Sequence, residues 1–218
     1  MTVAAVILVP DPQAALANAD GEPVLRRLAQ AAWSGGALPT VVVAPMVPEE
    51  LSAAVAELGL TLTSPAADEP HGIAWFVNGM RSAVATVSET SAALLWPFRF
   101  VWVDPETVTS LVEAHGAAVD AIVRPAYAGQ AGFPILIPVA LLDRLAALSG
   151  QGGEQAVQSL VAAGVPIRQI ELGDPGIVLD MVTPRGDLPR YQGPPEPAGG
   201  PPPDWNSALA AQAGDPPR

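Results

Sequence analysis

Few side chains in this sequence could carry covalent or acid–base chemistry. The chain contains no cysteine and no lysine, and all ten of its basic residues are arginines. A cysteine nucleophile, a thiolate zinc site, a Schiff base and a phosphate-binding lysine are therefore excluded. The two histidines, His71 and His115, lie far apart, and no Gly-x-Ser-x-Gly motif is present. His115 ends a predicted helix, where a cation complements the helix dipole, so a structural role is expected.

The overall charge limits the possible partners. With 22 acidic and 10 basic residues, the formal net charge is −12. Phosphate backbones and anionic lipids repel such a chain, so neither nucleic acid nor a membrane surface is an expected partner. The longest apolar stretch, residues 92–103, is interrupted by Pro97 and Arg99 and is too short to span a bilayer. Because the N-terminus lacks the basic segment and cleavage site of a signal peptide, a cytoplasmic protein is expected.

Hydrophobic periodicity predicts an alternation of strands and helices. Residues 3–9 form a continuous apolar run, as expected for a strand buried on both faces. Further strands are predicted at 40–44, 60–63, 120–124, 133–137 and 168–172, and residues 92–103 are predicted to form a strand, a bend at Pro97 and a short extended piece. Helices are predicted at 22–34, 48–58, 78–89, 104–115, 138–148 and 153–163. This order predicts an α/β, Rossmann-like three-layer fold with a mostly parallel sheet and helices on both faces. Ligands of such sheets bind at the carboxyl ends of the strands.

The composition changes near residue 189, which divides the chain into an α/β domain (1–188) and a tail (189–218). Nine of the last thirty residues are proline and four are glycine, so the tail is predicted to be disordered. Trp205 is its one sizeable apolar side chain. The tail is either a solvated extension or a docking segment for a partner protein or for the domain itself.

Several segments resemble a known family in sequence and in order. These are Asp104-Pro-Glu-Thr-Val108, Ala121-Ile-Val-Arg-Pro125, Gly132-Phe-Pro134 and Gly173-Asp-Pro-Gly-Ile-Val-Leu-Asp-Met-Val-Thr-Pro184. Over residues 1–188 the chain resembles the MobA-like nucleotidyltransferases, which include the molybdenum-cofactor cytidylyl- and guanylyltransferases. The resemblance implies a nucleotide-diphospho-sugar transferase-like fold. It also implies a nucleoside triphosphate at the carboxyl edge of the sheet, held by a glycine-rich loop and by Mg²⁺ on aspartates.

The chain departs from that family where the catalytic groups are expected. The first strand runs into Val9-Pro10-Asp11-Pro12-Gln13, which has no glycine and two prolines without an N–H group, so it cannot cradle phosphates. Gln13 falls at the family's lysine and Arg99 at its central metal-binding aspartate. At the closing motif Asp180 is present, but the second aspartate is replaced by Val182. No metal site is predicted, because one carboxylate is a poor ligand set for Mg²⁺.

Four residues are candidate ligand-binding residues, and no catalytic residue is predicted. Arg99 either pairs with a loop carboxylate or replaces the metal as a fixed cation. Asp180 either caps or pairs within its loop or contacts the ligand. Gly79 and Ser82 lie in a family-like Gly-Met-x-Ser segment at a predicted helix start, where free N–H groups would either meet an anion or be capped locally.

Three functions follow from this pattern. The first is a catalytically degenerate nucleotidyltransferase that binds a nucleotide or pterin-type small molecule, or acts as an accessory protein. The second is an active enzyme with a rebuilt site. The third is an interaction or oligomerisation module that uses either the acidic surface or the proline-rich tail. No resident cofactor is predicted, and Mg²⁺ with a nucleoside triphosphate enters only if the family's activity is retained.

Overall fold

The computed structural model describes residues 2–66, 69 and 71–193. Most of the predicted tail, residues 194–218, lies outside this described part. The strands are β1 (Thr2–Leu8), β2 (Asn18–Ala19), β3 (Glu22–Pro23), β4 (Ala37–Val43), β5 (Thr61–Thr63), β6 (Thr90–Pro97), β7 (Ile122–Tyr127), β8 (Gln130–Ala131), β9 (Ile135–Pro138) and β10 (Ile167–Glu171). The α-helices are α1 (Pro12–Leu16), α2 (Val24–Ser34), α3 (Glu49–Glu57), α4 (Ile73–Thr86), α5 (Pro105–Ala117), α6 (Leu142–Ala146) and α7 (Gly153–Ala162).

The large sheet has the strand order β10-β7-β9-β6-β1-β4-β5, with β8 paired to β7. Its pairs are parallel except where β9 meets β6 and β7 and where β8 meets β7. The predicted α/β fold with a mostly parallel sheet is therefore confirmed. The carboxyl ends of β1, β4, β5 and β6 meet at one edge of the sheet, which we call the carboxyl edge.

Strand β1 divides the molecule into two cores. Its alternate side chains Val3, Ala5 and Ile7 enter one core, whereas Ala4, Val6 and Leu8 enter the other. Helices α2, α3 and α5 cover the first core, and α4, α6 and α7 cover the second. Because a parallel strand in this position is buried on both faces, its sequence is continuously apolar. The three-layer arrangement follows directly from this pattern.

Helix α4 begins earlier than the sequence predicted. The prediction placed its N-cap at Asn78, but the helix begins at Ile73 with Gly72 as its N-cap. A buried stripe formed by Ile73, Phe76 and Met80 continues the helical period towards the N-terminus. Asn78 instead accepts a hydrogen bond at Oδ1 from Thr63 Oγ1 (2.8 Å). The predicted helix start at Gly79–Ser82 is therefore wrong.

The segment 173–184, which contains Asp180, is hydrogen-bonded to the start of α5. Asp104 is the N-cap of α5, as predicted, and its side chain accepts from Glu106 N (2.9 Å). The buried carboxylate of Asp174 accepts from Asp104 N (2.9 Å), Thr107 Oγ1 (2.7 Å) and Gly176 N (2.8 Å). These bonds join the segment that leads to Asp180 to the start of α5.

Across the described ranges, no helix is both long enough and apolar enough to cross a bilayer.

Candidate functional site

In the turn after β1, backbone amide groups donate hydrogen bonds to the side chain of Asp11 in the same turn. Asp11 is the N-cap of α1, and its Oδ1 accepts hydrogen bonds from Gln13 N (3.0 Å) and Ala14 N (3.2 Å). A phosphate bound here would have to displace a carboxylate of its own charge. Pro10 and Pro12 supply no N–H group to replace those two. The turn is therefore the capped start of the five-residue helix α1. It lacks the free N–H donors that a phosphate-binding loop needs.

Arg99 lies in the turn that follows β6, at the same edge of the sheet as the end of β1. Phe98 N donates to Leu8 O (3.1 Å), which joins this turn to the end of β1. Met181 N donates to the carbonyl of Arg99 (2.8 Å), so the closing segment is hydrogen-bonded to the same turn. Trp102 Nε1 adds bonds to the carbonyls of Asp180 (3.2 Å) and Thr183 (3.0 Å). These contacts fix the backbone that carries Arg99 and Asp180.

The two side chains form an ion pair. Arg99 Nε lies 3.6 Å from Asp180 Oδ2, and Asp180 Oδ1 accepts from Val182 N (3.0 Å). Both carboxylate oxygens therefore already face donors of the protein. The terminal nitrogens of Arg99 make no hydrogen bond or ion pair with any residue of the described ranges, and its side chain is 57% exposed. The pairing leaves a guanidinium group directed at solvent with donors to spare.

A cavity of about 280 Å³ lies beside Arg99 at the carboxyl edge. We call it the carboxyl-edge cavity, and its lining includes Pro10, His71, Phe98, Arg99, Phe133 and Glu154. The ring of Phe133 stacks on Phe100 with centroids 4.9 Å apart, and the Arg99 guanidinium lies 5.0 Å from the centre of the Phe100 ring. The cavity thus has an aromatic wall with a cation at its rim.

Glu154 gives the same cavity one fixed carboxylate. Arg124 holds it by two hydrogen bonds, Nη1 to Oε1 (2.7 Å) and Nη2 to Oε2 (2.8 Å). Such a bidentate pair fixes both position and orientation. Helix α7, which carries Glu154, starts beside α4, because Ile73 N donates to Gln151 O (3.1 Å). Two helices of the second core thereby position one wall of the cavity.

The cavity suits a small anionic ligand with an apolar or aromatic part. Arg99 offers a charge-assisted contact to the anion, and the phenylalanine rings offer a surface for stacking. Over residues 2–66, 69 and 71–193, no cluster of three or more Asp, Glu or His side chains is arranged to hold a metal ion. The Mg²⁺ site of the family therefore does not fit the side chains at this edge.

Only two of the four predicted ligand residues are brought together. Arg99 and Asp180 meet, as one of the two sequence interpretations of Arg99 predicted. Gly79 and Ser82 lie in the middle of α4, where a Cβ on Gly79 would overlap the side chains of Val6 and Val43. Neither residue lines the carboxyl-edge cavity. The close packing of α4 on the sheet explains why a glycine occupies position 79.

Sequence reasoning missed most of the cavity lining. The flanking residues Phe98 and Phe100 were a usable signal, because they bracket Arg99 in the turn after a buried strand. Glu154 gave no signal, since it lies far from Arg99 in the sequence and its position depends on the docking of α7. His71 follows a segment whose path the sequence did not predict.

The chain matches a protein family over most of its length. The family described as the MobA-like NTP transferase domain matches residues 13–166. No curated protein matches the sequence.

Solved structures with the same fold share little sequence identity with the chain. A Mycobacterium tuberculosis protein, solved in complex with manganese, superimposes with a TM-score of 0.62 at 20% identity, over 79% of this chain and 89% of that one. The 2-C-methyl-D-erythritol 4-phosphate cytidylyltransferase of Thermus thermophilus gives a TM-score of 0.62 at 17% identity, over 84% and 94% of the two chains. The molybdopterin-guanine dinucleotide biosynthesis protein A of Archaeoglobus fulgidus gives 0.55 at 14% identity, over 78% and 83%.

Proposed function

Because the chain belongs to the MobA-like NTP transferase domain family, we propose that it binds a nucleotide at the carboxyl edge without metal-dependent nucleotidyl transfer. The ion pair between Arg99 and Asp180 carries this proposal. Where the family is expected to hold a divalent cation, this chain has a guanidinium group that supplies a fixed positive charge.

Three further observations support the loss of transfer chemistry. Asp11 occupies the amides of Gln13 and Ala14, so the turn after β1 lacks free donors for a triphosphate. Val182, at the second closing position, is 84% exposed and offers no metal ligand. The chain also has no lysine to neutralise charge on the leaving pyrophosphate. A protein of M. tuberculosis with the same fold was solved in complex with manganese.

Binding is supported by the shape and charge of the carboxyl-edge cavity. The aromatic wall formed by Phe98, Phe100 and Phe133 can contact a base, while the terminal nitrogens of Arg99 can contact a phosphate at the rim. At 280 Å³ the cavity admits part of a nucleotide, with the remaining phosphates left in solvent. The proposed role is that of a non-catalytic nucleotide-binding or accessory protein.

The test is a calorimetric titration of the full chain with CTP, GTP and ATP in the absence of magnesium. Wild type is expected to bind at least one of them. The variant Arg99→Ala should then lose about 10- to 100-fold in affinity, because a charge-assisted hydrogen bond contributes about 1.5–3 kcal/mol.

The matched control is Arg81→Ala, which removes the same charge from an exposed position on α4. It should stay within about twofold of wild type, since Arg81 does not line the cavity and its exposed charge is screened by salt. Equal losses in both variants would show a general charge effect and contradict a site at Arg99. The absence of binding for all three nucleotides would contradict the proposal and favour the interaction module.

A further inference from the structure

The opposite edge of the sheet carries a large apolar groove that the proposed function does not use. It lies where β1, β4 and β5 begin, and its volume is about 650 Å³. We call it the amino-edge groove and define it by Trp33, Leu38, Pro39, Leu58, Leu60 and Val87. A groove of this size is within the range of ligand- and peptide-binding sites.

The groove exposes side chains that are normally covered. Trp33 at the end of α2 is 71% exposed and Leu38 at the start of β4 is 45% exposed, the former among the most exposed large apolar side chains of the described residues. Contiguous apolar surface of this kind marks a site of contact with another segment or molecule. An indole and a leucine side chain facing one groove would suit an apolar, aromatic occupant.

The described part of the chain ends beside the start of α5, which packs against the end of α2 that carries Trp33. Gln192 N donates to Gly173 O (2.9 Å), so the tail leaves the domain beside the segment held to the start of α5. Leu188 lines a smaller cavity together with Gln30 of α2. Gln30 also lines the amino-edge groove, so the two depressions adjoin along α2. The end of α2 that carries Trp33 packs against α5, because a Cβ on Gly35 would lie 2.6 Å from Pro105 O.

The tail has the length and the side chains to fill the groove. Gly193 is the last described residue, and Trp205 follows it by 12 positions. Twelve residues in an extended chain reach about 40 Å, roughly the diameter of a domain of this size. Trp205 and Leu209 are the two large apolar side chains beyond residue 193 and are separated by four positions. The prolines of residues 194–203 disfavour a collapsed linker.

We propose that residues 204–209 dock in the amino-edge groove of their own chain, with Trp205 as the anchor. Tethering makes this contact intramolecular, so the groove experiences an effective concentration of the segment in the millimolar range. Weak contacts of an indole and a leucine then suffice for occupancy without a stable fold in the tail itself. The site is distinct from the carboxyl-edge cavity and does not depend on nucleotide binding.

A nitroxide label on the full chain tests this contact. Because the chain has no cysteine, Ser207→Cys creates a single attachment point next to the anchor. Paramagnetic broadening of backbone amide signals should be confined to the groove, including Trp33, Leu38 and Gly59, and should be the same after tenfold dilution. Adding Trp205→Ala to the labelled chain should abolish this broadening.

Variants of the groove complete the test. Trp33→Glu places a charge in the groove at an exposed position, so the domain should fold while the broadening is lost; Leu38→Glu is the second variant. Val119→Glu is the matched control, because Val119 is 47% exposed and does not line the groove, and it should keep the broadening. Broadening that disappears on dilution would assign the groove to a second copy of the chain. That result, broadening spread evenly over the surface, or none at all would overturn the proposal.

Discussion

At the scale of single residues, the carboxyl edge is governed by which charged groups face one another. Asp180 faces Arg99 and a backbone amide, Asp11 faces two backbone amides, and Glu154 faces Arg124. Each carboxylate is thus satisfied within the protein, whereas Arg99 keeps donors directed at solvent. Arg99 therefore offers a local positive charge at this edge, despite the net charge of −12.

His115 shows how burial reverses an expectation from sequence. A histidine at a helix end was expected to act as a cation there, but His115 is fully buried near the end of α5. Its Nε2 lies 3.2 Å from Ser91 Oγ, and its Nδ1 has no hydrogen-bond partner among the described residues. Burial lowers the pKa of His115 below its ordinary value, and the charge of Asp120 only partly opposes this.

The lowered pKa of His115 determines how the free energy of unfolding changes with pH. In the unfolded chain the imidazole takes up a proton near pH 6.5, whereas in the folded protein it does so only at lower pH. The unfolded state therefore binds more protons in this window, and the free energy of unfolding falls as the pH drops below about 6.5. Urea unfolding between pH 5 and pH 8 should show this fall, and His115→Gln should flatten it.

The control for this prediction is His71→Gln, which removes an exposed imidazole. That variant should retain the pH dependence of the wild type. A wild-type stability that rises on acidification from pH 7 to pH 5.5 would contradict the burial argument.

At the scale of elements, apolar periodicity predicted the fold well and the helix ends less well. The runs in β1 and α2 and the Asp104-Pro105 start of α5 lie within a few residues of their predicted positions. The predicted cap at Asn78 was wrong because burial of Ile73 and Phe76 contributes more than a capping side chain. The predicted helix 138–148 is a short 3₁₀ turn (Val139–Leu141) followed by α6.

The packing of α4 explains Gly79, which the sequence analysis proposed as a ligand-binding residue. Gly79 faces Val6 and Val43 across the interface between α4 and the sheet. Gly79→Ala should lower the free energy of unfolding by about 1–3 kcal/mol, because overpacking outweighs the gain of about 1 kcal/mol in helix propensity. Urea denaturation measures the difference.

Ser82→Ala serves as the companion variant on the same helix. Ser82 is half-buried and three residues further on, so this change should stay within about 0.5 kcal/mol of wild type. A stabilising effect of Gly79→Ala would contradict the close packing of α4. A loss of nucleotide affinity in Ser82→Ala would restore the original ligand hypothesis.

At the scale of the whole molecule, the two edges of one sheet carry separate cavities. The carboxyl edge holds the cavity beside Arg99, and the amino edge holds the groove that we assign to residues 204–209. The family could be inferred from the order of motifs, because those segments lie in turns that fix the sheet edge. The cavity wall could not, because Phe133 and Glu154 reach it only after β9 and α7 are docked.

The most direct test of the account is the magnesium dependence of nucleotide binding by the wild-type chain. Each nucleotide is titrated with excess magnesium and with excess chelator, and pyrophosphate release is measured in parallel. A site that uses Arg99 as its cation competes with Mg²⁺ for the same phosphate oxygens. We therefore predict that affinity is equal or higher without magnesium and that no pyrophosphate is released. Affinity that rises tenfold or more on adding magnesium, together with pyrophosphate release, would contradict the account and identify an active nucleotidyltransferase.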